Sequence, residues 1–215
     1  MVLSDADIKR EINTGRLSIS PFQEKNLSPQ SYDMTLGKIC KVFTPQACLR
    51  ADDVNVYANA LQVLGRSTFP VFDPRNPITP YEFEIPEKGF VLSPGHLYLY
   101  ACNETLELPS NVCGTVLGKS SLGRLGLDIH ICAGFVDGGF HGSLVLEMRC
   151  IYPIRVYPNM KICQIKFEYS SKPLVSYKDK PDSKYAGQIG VQESKYHENF
   201  NGLHQVTGTD NTGPK

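Results

Sequence analysis

The stretch GKSSLGRLGLDIHICAGFVDGGFHGSLVLEM, Gly118 to Met148, decides the reading of this chain. Its last part alternates: Leu144, Leu146 and Met148 point one way, Ser143, Val145, Glu147 and Arg149 the other, as in a half-buried strand. Glu147 is then a carboxylate on the second face of a strand in otherwise apolar company, a setting that favours the protonated acid and suits proton transfer. The plainer reading makes it one half of a solvated surface pair with Arg149.

Outward from this stretch the chain reads as mainly β. Its 215 residues suit one domain, or a domain with a tail. Acidic and basic residues balance at 22 each, so no global field gathers nucleic acid or an anionic membrane, and any phosphate site must be local. No apolar run reaches membrane-spanning length, and Met-Val-Leu-Ser-Asp lacks the marks of a signal peptide. The seven cysteines form no CxxC, so buried free thiols in a reducing cytoplasm are expected. His130-Ile131-Cys132 lacks the H-x-E and P-C-x-x-C of zinc deaminases, so no zinc is expected.

Leu3 to Arg16 reads as a short helix. Ser4 and Asp7 form a capping box, Leu3 staples against Ile8, Ile8 and Ile12 make the apolar stripe, and Gly15 ends it. Ser31 to Gly37 alternates as a strand closed by its glycine; strands follow at Ile39 to Phe43 and at Val54 to Val63. Five prolines from Pro70 to Pro86 restrict that stretch to loop or edge. Phe90 to Leu92 and His96 to Tyr100 read as a hairpin around Pro94-Gly95. Further strands are expected at Leu106 to Pro109, Val112 to Leu117, Gly126 to Cys132, Ser143 to Arg149 and Ile162 to Phe167, the spacing of a sandwich or barrel. After Ser170 the chain turns polar, with lysines among Tyr177, Tyr185 and Tyr196, and 201–215 is expected to be disordered. Such a tail is either inert or folds over a phosphate-bearing site.

Several ordered motifs resemble the dCTP deaminases of the dUTPase-like superfamily. They are Leu3-Ser4-Asp5 with Gly15-Arg16-Leu17, Ser31-Tyr32-Asp33-Met34-Thr35-Leu36-Gly37, Ser120-Ser121-Leu122-Gly123-Arg124-Leu125-Gly126-Leu127, Val145-Leu146-Glu147 and Ser183-Lys184-Tyr185-Ala186-Gly187-Gln188. The resemblance implies a distorted β-barrel or jelly-roll over 1–170 with a short N-terminal helix, a tail over 171–200 that closes on the site, and a homotrimer with sites at subunit interfaces. It implies Glu147 as proton shuttle for water attacking C4 of cytosine, with Ser120 and the backbone near Ala133 placing water and base. Arg124 would support developing charge and contact phosphate. Asp137 would accept from the deoxyribose 3′-hydroxyl, and Phe140 would leave no room for a 2′-hydroxyl, although an Asp-Gly turn is also an ordinary hairpin. Lys119, Ser121, Val145, Leu146, Gln164, Tyr177, Lys184 and Gln188 match positions that hold the nucleotide. Mg²⁺ would travel with the phosphates. dTTP would be the feedback inhibitor.

The family has two branches. One releases dUTP and carries a Thr-Ala-His-Arg turn; the other goes on to dUMP and pyrophosphate and carries Thr-Ala-Gly-Phe or Thr-Ala-Gly-Trp. Cys132-Ala133-Gly134-Phe135 looks like the second. Departures from the pattern are Cys132 for threonine, Lys119 for arginine, Gly138 for proline, and a shortened Cys150 to Pro153. Alternatives are a deaminase that stops at dUTP, a plain dUTPase, and a non-catalytic nucleotide-binding trimer.

Overall fold

The computed structural model describes residues 1–43 and 72–201. One compact unit comprises Met1–Phe43 and Tyr81–Gln192, the other Thr44–Pro80 and Glu193–Lys215. The strand expected at Val54 to Val63, and nearly all of the tail expected to be disordered, lie outside the described residues. In the second unit Arg75 pairs with Asp73 at 2.7 Å, and Tyr196–Phe200 forms a 3-10 turn.

The first unit is mainly β. Helix α1 (Asp5–Asn13) is shorter than the pattern suggested but keeps the Ser4–Asp7 capping box, and Leu3 and Ile8 are both fully buried in the main core. Gly15 follows with φ +69°, a left-handed conformation that favours glycine.

Strands β1 (Ser18–Ser20), β2 (Leu27–Ser28), β3 (Ser31–Val42), β4 (Tyr81–Glu84), β5 (Phe90–Leu92), β6 (Tyr98–Glu107), β7 (Val112–Gly118), β8 (Leu127–Asp128), β9 (Phe135–Val136), β10 (His141–Cys150), β11 (Ile154–Val156) and β12 (Lys161–Tyr169) follow in chain order. The large curled sheet runs β8-β10-β6-β3-β12-β7-β9, with β1 added to β6 and β2 and β4 added to β3. Several sequence expectations change here. Phe90 to Leu92 and His96 to Tyr100 are not a hairpin: β5 pairs with β11 in a separate two-stranded sheet, while β6 joins the large one. Leu106 is the far end of β6 rather than part of a new strand, because one long run pairs in turn with β1, β3 and β10. The strand expected over Gly126 to Cys132 stops at Asp128. Of the described cysteines, 40, 102, 150 and 163 are buried, whereas Cys113 is half-buried and Cys132 exposed.

The largest correction concerns Gly37, which does not close its strand. The first half of β3 pairs with β12 (Asp33 opposite Gln164) and the second half with β6 (Cys40 opposite Tyr100). Gly37 lies where the strand changes partners, and a Cβ there would sit 2.7 Å from the Ala101 carbonyl oxygen. Such a switch interrupts the ladder, and the freed groups must find partners elsewhere. The Glu104 carboxylate, 0% exposed, accepts from the Thr35 N–H and from its hydroxyl, both at 2.8 Å. Asn103 donates to the Leu36 carbonyl at 3.0 Å.

Two consequences are measurable. Glu104→Ala leaves the Thr35 donors unpaired beside a cavity, so urea unfolding should show a loss of about 3 kcal/mol. Burial pushes the Cys40 thiol from 9.0 to about 12. A raised folded-state value means stability is intact below the unfolded value and is lost as pH climbs from about 9 toward 12. Urea midpoints across that window should fall, and fall less steeply in Cys40→Ala.

Candidate active site

Three groups of side chains are assembled by different parts of the sheet. The first sits at the end of β7. Lys119, extended at φ −89° and ψ 125°, caps a single helical turn, α2 (Ser120–Gly123), and Leu122 packs on the core. Ser120, Ser121 and Arg124 are left outward, and with Lys119 and Gln164 they line an open cavity of about 550 Å³. Gln164 reaches it from β12, where its amide donates to the Gly118 carbonyl at 3.4 Å and accepts from the Ser31 hydroxyl at 3.2 Å. The Lys119 ammonium donates to Asp33 Oδ1 at 2.6 Å.

The second group surrounds Glu147. The strand alternation is as expected, with Leu146 and Met148 in the core and Glu147 half-buried on the other face, opposite Leu99. One carboxylate oxygen accepts from the Ile131 N–H at 3.2 Å, tying β10 to the turn that carries Cys132, Ala133 and Gly134. That turn is fixed from behind. The Val116 N–H donates to the Gly134 carbonyl at 2.7 Å, and His130 Nε2 lies 3.1 Å from the Val116 carbonyl. A Cβ on Gly134 would meet Val116 O at 3.0 Å and His130 Nε2 at 3.1 Å, so the glycine makes room for the imidazole. Ile131, Cys132, Ala133 and Phe135 face solvent in the single chain.

The third group lies along the Asp137 turn. Gly138 is tightly packed: a Cβ there would fall 2.3 Å from the Ser110 carbonyl oxygen, so the two backbones are in close contact. Its carbonyl accepts from the Tyr177 N–H at 3.0 Å, and the Tyr177 ring sits 5.9 Å from that of buried Phe140. Burial pushes the Tyr177 phenol above its ordinary value; a hydrogen bond with the Tyr185 backbone offsets part of this, and the Asp137 charge adds to it. Asp137 itself is exposed.

Residues 187–191 then lie as a strap along the start of β10. Gly187 N–H donates to the His141 carbonyl and Ser143 N–H to the Gln188 carbonyl, both at 2.9 Å, and Gly190 N–H donates to Ser143 Oγ at 3.2 Å. Gly142, at φ +130°, has no space for a side chain, since a Cβ would come within 2.4 Å of the Gln188 carbonyl oxygen. The Gln188 side chain donates to the Ser143 carbonyl at 2.6 Å, so in this state its amide holds the strap. Val191 buries against Leu99 and Ala101, with Val145 packed alongside.

The sequence-derived candidates therefore fall into separate sets: Lys119, Ser120, Ser121, Arg124 and Gln164 in one cavity; Glu147 with Ala133, Gly134 and Phe135 on one turn; Asp137, Phe140 and Tyr177 on another, beside the strap of Gln188. Lys184 is half-buried ahead of the strap, and the Leu146 side chain is enclosed in the core, leaving only its backbone for a ligand. Sequence reasoning gave no role to Asp33, Lys161 or Ser143, and weighed His130 only as a zinc ligand. The alternation over 31–37 put Asp33 on a solvated face, whereas both faces are buried there, so the pattern carried no signal for it. Among the described residues no cluster of three or more His, Cys, Asp or Glu is placed to hold a metal, and no helix is long and apolar enough to cross a membrane.

Comparison with known proteins identifies the family and the fold. A family model described as dCTP deaminase-like matches residues 2–170. A protein of Methanosphaera stadtmanae named "dCTP deaminase, dUMP-forming" is 34% identical over 93% of this chain and 95% of its own length. One of Rhodococcus erythropolis with the same name is 38% identical over 94% of this chain and 99% of its own. In fold the chain is similar to the crystal structure of 2′-deoxycytidine 5′-triphosphate deaminase from Agrobacterium tumefaciens. The TM-score is 0.55 at 22% identity, covering 79% of this chain and 48% of that longer one. The chain belongs to the dCTP deaminase-like family.

Proposed function

We propose that this protein converts dCTP and two waters to dUMP, ammonia and pyrophosphate. The observation that carries the reading is the pairing of Glu147 with the Ala133-Gly134 turn: one carboxylate oxygen is anchored by Ile131 N–H and the other is left to handle protons. Relatives named for the dUMP-forming reaction, 34–38% identical over most of the chain, support it. Glu147 takes a proton from the water attacking C4 and returns protons to N3 and the departing amine, while Ser120 and the Ala133 backbone orient water and base. Arg124, with Lys119, Ser121 and Gln164, holds the triphosphate, Arg124 through a guanidinium fork. Asp137 accepts from the 3′-hydroxyl, Phe140 backs the sugar, and Val145 and the Leu146 backbone flank the base. Tyr177, Lys184 and Gln188 belong to a tail, 171–200, that closes on the nucleotide bound by the 1–170 barrel. Because the cavity of Arg124 is lined by neither Glu147 nor Asp137, the complete site is best built between copies in a homotrimer. Mg²⁺ is carried by the phosphates and waters. dTTP occupies the same site as inhibitor, and the protein works in the cytoplasm.

Incubation with dCTP and Mg²⁺ should release ammonia and pyrophosphate in equal amounts without free dUTP; accumulation of dUTP would sink the dUMP-forming reading. Glu147→Gln should abolish ammonia release while calorimetry still detects dCTP binding. Gly134→Ala crowds the Val116 carbonyl and the His130 ring, so the turn should shift to relieve the contact. Product analysis of that variant should show the yield moving from dUMP toward dUTP.

A further inference from the structure

Two ammonium groups converge on one carboxylate, and one of them, Lys119, lines the Arg124 cavity. The Asp33 side chain, only 6% exposed, holds Lys119 Nζ at 2.6 Å on one oxygen and Lys161 Nζ at 3.0 Å on the other. Lys161 is fixed in turn by donating to the Lys25 carbonyl at 3.0 Å. Asp33 pairs across the sheet with Gln164, which pairs with Leu117 of β7 on its other side. The carboxylate is therefore carried on the central strands and not on a loop.

A negative charge beside a pocket built for a polyanion opposes binding by itself. Its presence makes physical sense if it organises the cations. Lysine is a point charge on a flexible four-carbon stem, and an untethered one loses side-chain freedom each time it closes on phosphate. Asp33 holds the Lys119 ammonium by one contact and leaves it further donors. Lys161 covers the second oxygen, so that two ammonium groups and one carboxylate still leave a net positive charge. Without Lys161, the Asp33–Lys119 pair would be neutral and offer phosphate little.

We propose that Asp33 is a positioning residue for phosphate binding, holding Lys119 in place for the triphosphate while Lys161 keeps the trio cationic. This rests on the reading of the Arg124 cavity as the triphosphate site.

Calorimetry with inorganic triphosphate and Mg²⁺ tests it without any turnover, so it stands or falls separately from the deamination reading. Asp33→Asn should bind inorganic triphosphate about tenfold more weakly, although it removes a negative charge. With dCTP as substrate, KM should rise by a similar factor and kcat should stay within about twofold. In a Lys119→Met background the same change should no longer weaken binding, because the tethered group is gone and only the opposing carboxylate charge is removed. Unchanged or tighter binding by Asp33→Asn overturns the proposal. Should Asp33→Asn fail to fold, Asp33→Glu decides: it keeps the charge and shifts the carboxylate by one methylene, so weaker binding supports positioning and equal binding overturns it.

Discussion

Strand β3 passes from one pair of neighbours, β2 and β12, to another, β4 and β6, and the rest of the first unit depends on how that change is made. A regular strand keeps one neighbour on each side along its length; this one leaves β12 and takes up β6 partway along. The manoeuvre needs a residue without a side chain where Ala101 crosses, and a buried acid and amide to take over the interrupted hydrogen bonds. Glu104 is fully enclosed and holds both donors of Thr35, so backbone geometry at the switch is set by a side chain from the neighbouring strand. The switch lies within a few residues of Asp33, and the two faces of the curled sheet thereby share one fixed reference.

The elements best legible in the sequence were those whose pattern is local. The capping box of α1 and the alternation of β10 depend on neighbours three or two residues away, and both appear in the structure as read. Pairing partners were not legible. Pro94-Gly95 does turn the chain, yet the residues on either side join different sheets, because β5 is taken by β11 across more than sixty residues of sequence. Gly37 was misread for the same reason: a glycine at a strand end and one at a close crossing look alike until the crossing strand is known. The site was legible as residue types in matching motifs, Ser120, Arg124, Asp137 and Glu147 above all. The electrostatic partner of Lys119 was not, since it comes from a strand 86 positions earlier.

The candidate site uses the sheet in a consistent way. Reactive side chains sit on short irregular turns held from behind by close packing: Gly138 against the Ser110 backbone and Gly142 against the Gln188 backbone leave no space for a side chain, and Gly134 packs tightly on the Val116 carbonyl and the His130 ring. Rigidity is thus supplied by main-chain packing, leaving Ser120, Ala133 and Asp137 open on the outer side. Preorganisation of this kind spares the protein an ordering penalty when substrate arrives.

The strap over β10 has a consequence for motion. It is attached by a handful of hydrogen bonds and one modest apolar residue, Val191, whereas the strands beneath are buried on long ladders. Local opening of such an attachment requires far less free energy than unfolding the barrel. The amides of Ser143, Gly187 and Gly190 therefore belong to a fast-exchanging class, and those of β6 to a slow one. Solvent deuterium would see this protein as two materials, a stiff shell and a latch that lifts many times before the shell ever opens.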